Sequence, residues 1–304
     1  MADREQTMKQ RYYGIVPSPP KKKGEVQDYY SRIAGDALRV GSPEKFGTNE
    51  LVLASGKLPK KFSWADQRLS SGQRMIPRVE NQGQHSTCVG FGASSAAERM
   101  HAKEKDEIVN LSAWDLYQWC KERDGLPPRS GTFARIALAG LKHRGVATEQ
   151  SVPYLGTIPE DTPDLIKERS NFRIDMYYRL NPKNTEAIKL AISKHGVIGA
   201  MPVGSNWNNP YIHRLVDPRG RHLVHFTGWD RPKATEYIEI EDSHGSNVGK
   251  FGYKYVDVNY IQRHCYEVWG MVDAKSIPSD HAANSWFWND FMPVFAKLWR
   301  KLKR

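Results

Sequence analysis

Residues 81–88 read Asn81-Gln82-Gly83-Gln84-His85-Ser86-Thr87-Cys88. Val89, Ala93, Ala96, Ala97 and Met100 follow at helical spacing, which predicts a helix opening at Thr87 or Cys88. A cysteine at a helix N-terminus feels the partial positive charge of unpaired N–H groups. That field favours thiolate over thiol, and thiolate is the nucleophile. Gln82 lies six residues earlier on a Gly-containing loop. Its side-chain amide can offer one N–H to an oxyanion, and the Cys88 backbone N–H a second.

Such a nucleophile needs a base. Arg221-His222-Leu223-Val224-His225-Phe226-Thr227-Gly228-Trp229 supplies two histidines on an expected strand. Residues three apart on a strand face opposite ways, so only one can serve, and His225 reads as a packing residue. Glu241-Asp242-Ser243-His244-Gly245 ends another expected strand. An aspartate there can orient an imidazole and stabilise imidazolium. His222, His225 and His244 have no recognised zinc-ligand spacing, so neither a metal nor a cofactor is expected.

Helical signals cluster early and strand signals late. Ser112 caps an expected helix with Ala113, Leu116, Tyr117 and Cys120 on one face. Further helices are expected over 132–143 and 185–195, the latter ended by Gly196 as its C-terminal cap. Strands are expected over 197–203, 223–229, 236–241, 252–256 and 266–272. Helices followed by strands indicate an α+β chain with two lobes. Cys120, on an apolar helix face, reads as core, and Cys265 as structural.

These residues resemble the papain-like cysteine peptidases. That family carries Asn-Gln-Gly, three residues, then the nucleophile opening a helix, which places the oxyanion glutamine at Gln82 and the nucleophile at Cys88. The family histidine precedes a Gly-aromatic pair by six residues; Gly228-Trp229 selects His222. His222 follows Cys88 by 134 residues, within the family range of about 130–150. Asp242-Ser243-His244-Gly245 aligns with the family's Asn-Ser-Trp-Gly, and residues 249–253 with its Gly-rich continuation. Leu111-Ser112, Pro153-Tyr154 and Leu58-Pro59 with Phe62 and Trp64 match as well. The resemblance covers about 58–273. It implies a papain-like fold, with a helical lobe over about 77–176, a β-rich barrel-like lobe over 177–273, and the cleft between them. It implies a thiol endopeptidase acting on protein or peptide substrates through Cys88, His222 and Asp242, with Gln82 and Cys88 forming the oxyanion hole.

The departures sit at His85, which replaces a disulfide cysteine, at Val89, and at Asp242 and His244. His85 and His244 are therefore candidate modulators. Asp242→Asn is expected to retain activity, because it restores the family's usual residue. The aspartate also resembles transglutaminase-like relatives, so a transferase or cell-wall amidase stays open. Val89 and His244 keep open a catalytically silent scaffold.

The chain has 304 residues, 39% hydrophobic and 26% charged, enough apolar content for a packed core. No apolar run approaches the ~18 residues of a membrane span. The N-terminus lacks a secretory signal, and three cysteines make no disulfide framework, so a cytoplasmic location is expected. Formal net charge is +11, with no pattern that singles out nucleic acid. Residues 1–57 read as a basic extension, with Lys21-Lys22-Lys23 after a proline-rich stretch and a short helix over 27–40. Residues 274–304 read as a linker and a basic amphipathic helix over 286–304. Trp288, Phe291, Phe295 and Trp299 form its apolar stripe. Such a stripe calls for a protein partner or the domain's own body ahead of a membrane surface. Anchoring inside a larger assembly, such as a phage particle, is one such role.

Overall fold

The structure, a computed structural model, describes Ile15, residues 58–232 and residues 234–272. The expected helices over 27–40 and 286–304 lie outside the described residues.

Four helices come first: α1 (Cys88–Lys105), α2 (Ala113–Lys121), α3 (Ala134–His143) and α4 (Pro163–Asn171). α1 is buried almost all round, as a helix without a wide polar face must be. Its small residues let neighbours come close. A Cβ on Gly92 would stand 2.4 Å from Leu223 Cδ2. α2 starts where expected, with Ser112 Oγ accepting the Asp115 N–H at 3.0 Å. α4 was not anticipated, although its start carries a plain signal. Thr162 caps the Leu165 N–H, and Pro163 occupies the first turn.

One sheet takes its first strand from ahead of α1 and the others from the second half of the chain. Its strands are β1 (Lys61–Ser63), β2 (Met176–Leu180), β3 (Gly196–Gly204), β4 (Tyr211–Ile212), β5 (Pro218–Asp230), β6 (Tyr237–Glu241), β7 (Tyr253–Asp257) and β8 (Glu267–Val272). Helices α5 (Thr185–Lys194) and α6 (Val258–His264) interrupt them. The strand order is β2-β8-β3-β5-β6-β7-β4, with β1 also paired to β5. All pairings are antiparallel except β4 with β7. Strand alternation splits the apolar residues between two cores. Ile198, Ala200 and Leu223 join Val89, Ala93, Met100, Leu116 and Leu138 under the helices. Val197, Met201, Val224 and Phe226 join Ile188, Trp207, Trp229 and Ile240 on the other face.

One expectation needs correction. Gly196 does not cap α5; His195 does, in an extended conformation, and Gly196 already starts β3. The glycine is required by packing. A Cβ there would lie 2.6 Å from Met271 Cγ and 2.8 Å from Met100 Sδ. From the N-terminal extension, Ile15 is 3% exposed, forms a parallel bridge with Thr132 and joins the helical core.

Candidate active site

Cys88 is the first residue of α1. Thr87 stands at the N-cap without a side-chain cap bond. Its hydroxyl lies 2.9 Å from the Tyr154 hydroxyl instead, and that hydroxyl donates to the Gln82 carbonyl at 2.8 Å. The side chain of Thr87 thus ties the glutamine loop to the helix end rather than quenching the helix's positive pole. Cys88 sits one turn before Gly92 on the same face of α1, and Gly92 packs on Leu223. Leu223 is the neighbour of His222 on β5. The close α1–β5 approach sets the helix that carries Cys88 against the strand that carries His222.

Gln82 joins the two halves of the chain. Its backbone N–H donates to the Ser243 carbonyl at 2.8 Å, and its Oε1 accepts from Ser243 Oγ at 2.6 Å. Its Nε2 donates to the His85 carbonyl at 2.6 Å. This bond and the one from Ser243 fix the orientation of the amide. His85 thus contributes its backbone carbonyl to Gln82. Its ring is exposed and lies edge-on to Tyr154.

His222 and Asp242 are wholly buried. His222 Nε2 lies 2.7 Å from Asp242 Oδ1. An ionised carboxylate only accepts, so Nε2 carries the hydrogen and Nδ1 is the nitrogen that can exchange a proton. His244 Nδ1 reaches the same oxygen at 2.8 Å. Its ring lies 4.9 Å from that of His222 at an interplanar angle of 36°. Oδ2, the other oxygen of Asp242, forms an ion pair with Lys254 of β7, which is also wholly buried. The Lys254 ammonium stands 4.9 Å over the Trp207 ring, and Trp207 meets His222 edge-to-face at 5.9 Å. Lys254 and Trp207 were not anticipated. A lysine inside a strand with Tyr255 and Val256 was the available signal, since a buried lysine asks for a partner.

The remaining candidates fall elsewhere. His225 faces away from His222 and pairs with Glu241, Nδ1 to Oε2 at 2.9 Å. Burial pushes the Glu241 carboxyl up to about 8 and holds the His225 imidazole well below its usual range. Both are therefore neutral near pH 7. Cys120 is buried, and burial pushes its thiol far up. Cys265 donates to the Ala200 and Glu267 carbonyls. His222, Asp242 and His244 could offer ligand atoms within 4.8 Å of one another. The two imidazoles already bond one carboxylate oxygen, and the ammonium on the other repels a cation, so the group reads as a hydrogen-bond network. A cavity of about 480 Å³ lined by His101, Lys105 and Phe172 lies toward the C-terminal end of α1. That is about 20 Å along the helix from Cys88, so it has no part in this site. Among the described residues, no helix is long and apolar enough to cross a membrane.

Comparison with known proteins adds independent findings. The family model described as papain family cysteine protease matches residues 58–270. A cysteine protease of Blomia tropicalis is 23% identical over 244 residues, covering 76% of this chain and 71% of that protein. A cathepsin L-like protein of Caenorhabditis elegans is 26% identical over 234 residues, covering 74% of this chain and 65% of that one. Among solved structures, xylellain, a cysteine protease from Xylella fastidiosa, superposes with a TM-score of 0.65 at 19% identity, covering 87% of this chain and 97% of that chain. The ragweed cysteine protease Amb a 11 in its proform gives 0.59 at 20% identity, covering 80% and 75%. At such identities the superpositions establish a papain-like α+β fold.

Proposed function

The chain belongs to the papain family of cysteine proteases, and from that premise we propose that it cleaves peptide bonds in proteins or peptides by acyl transfer through Cys88. The Cys88 thiolate attacks the scissile carbonyl carbon, and the Gln82 amide and the Cys88 N–H receive the oxyanion. His222 imidazolium gives its Nδ1 proton to the leaving amine. The neutral ring then takes a proton from water, which attacks the thioester and releases the acid. Asp242 holds the ring by Nε2, so that Nδ1 addresses the thiol. The observations that support this reading are the helix-first position of Cys88 and an imidazole held by Asp242 at 2.7 Å.

The domain doing this work is 58–273. Three cysteines without disulfide partners support action in a reducing compartment. Docking to a partner or a larger assembly rests on 1–57 and 274–304, which, Ile15 apart, lie outside the described residues.

The test is hydrolysis of a denatured protein substrate, together with labelling by a peptidyl epoxide read by mass spectrometry. Both use the full chain before and after limited proteolysis, because Cys88 and His222 are fully buried in this structure. Cleavage that disappears in Cys88→Ala and His222→Ala at unchanged melting temperature is expected, with the label on Cys88. Undiminished cleavage by Cys88→Ala would overturn the assignment.

A further inference from the structure

A lysine with no exposed surface, in a strand whose neighbours Ile238, Ile240 and Val256 are equally buried, stands where an aliphatic side chain would be cheaper. Its ammonium pairs with the carboxylate oxygen that the histidines do not use. The charge count gives a reason. A thiolate–imidazolium couple sums to zero, and a neutral orienting amide beside it leaves the sum at zero. An aspartate in that position adds a full negative charge in a water-excluded site. That charge would raise the proton affinity of both members of the couple. One buried cation on the far oxygen cancels it. We propose that Lys254 is a charge-compensating positioning residue, and that the Asp242–Lys254 ion pair together does the work of a neutral orienting amide for His222.

The geometry fits this role in two further ways. Lys254 stands directly across β6–β7 from Ile240, two residues before Asp242, so strand register delivers it to the site. Trp207 borders both groups, with a cation–π contact to the ammonium and an edge-to-face contact to the imidazole, and so helps keep water from the ion pair. Among the described residues, the titratable and charged groups that meet this carboxylate are His222 from β5, His244 from the turn after β6 and Lys254 from β7. Glu241 points to the other face, with His225.

The inference rests on the proposed Cys88–His222 couple but is read without turnover. Selective ¹⁵N-histidine labelling follows the protonation of His222 against pH in wild type, Lys254→Met, Asp242→Asn and the double variant. Removing only the cation should raise the His222 midpoint by about one pH unit or more, and removing only the anion should lower it. The double variant should return to the wild-type midpoint, and its kcat/KM should exceed that of either single variant. Lys254→Arg, which keeps the charge, should titrate like wild type. A lysine with a merely structural role would give no shifts of opposite sign and no mutual rescue. If Lys254→Met does not fold, a folded double variant with the wild-type midpoint still supports compensation. A double variant that stays unfolded or keeps the single-variant shift overturns it. So does an unchanged midpoint in Lys254→Met. Opposite shifts in a wild type that cleaves nothing would retire the peptidase reading and keep this one.

Discussion

At Asp242 two oxygens hold three groups, and removing either charge leaves the other buried. Sequence comparison with the family favours Asp242→Asn as a harmless reversion. The ion pair with Lys254 adds a stability cost to that substitution, whatever its activity. Asparagine would strand a buried ammonium, and breaking a buried pair by removing one partner costs about 3–5 kcal/mol. Urea denaturation of Asp242→Asn should show that loss, largely recovered when Lys254→Met is added. Gln82 acts at the same scale. Its amide is oriented at both ends, by Ser243 and by the His85 carbonyl, so Gln82→Ala should lower kcat about 10²–10³-fold with a smaller change in KM. Full activity in that variant would remove Gln82 from the oxyanion site. Gln82, Cys88 and His222 were legible because each sits in a short local pattern. Lys254 was not, because its strand neighbours hint at burial but nothing near it in the chain names the partner.

α1 and β5 carry Cys88 and His222, and the approach of helix to strand depends on a missing side chain at Gly92. Gly92→Ala places a methyl 2.4 Å from a buried leucine carbon and 3.5 Å from the Leu223 carbonyl. The expected cost is about 1–3 kcal/mol of stability from overpacking. Turnover should fall as well, since Cys88 shifts against His222; calorimetry and peptide cleavage measure the two. The start of α1 and the Ser112 cap of α2 were readable from local chemistry. α4 was overlooked despite its Thr162-Pro163 start, because its body, Pro163–Asn171, carries few apolar residues to show a period. Gly196 was misassigned because a glycine after a helix looks the same in sequence whether it turns the chain or admits a methionine side chain.

Over the whole molecule, buried ionisable groups set how stability depends on pH. Burial raises the Glu241 carboxyl from its ordinary 4.5 to about 8. A raised carboxyl contributes stability that is complete below the unfolded value and is lost as pH climbs through the folded one. The protein should therefore weaken between about pH 4.5 and 8, and Glu241→Gln should flatten that slope in urea titrations. Asp115 acts in the opposite sense. Burial pushes its carboxyl up, but hydrogen bonds and charge from Arg144 and Arg169 outweigh this and hold it below the ordinary 3.8. Its contribution is present above that value and lost as pH falls through the depressed folded one. Asp115→Asn should remove this acid-side loss while lowering stability at neutral pH.

The sequence by itself determined the helix that opens at Cys88, the order and spacing of glutamine, cysteine, histidine and aspartate, and with them the family. These follow from contacts within a few residues, where helix periodicity, capping and motif spacing act. Only the tertiary structure decided what surrounds the aspartate. Lys254 meets Asp242 through the pairing of β6 with β7, and Trp207 reaches His222 from a different segment of the fold. The match of their charges exists only once water is excluded, because in water a carboxylate and an ammonium twelve residues apart hardly feel each other, and inside the folded core they must balance.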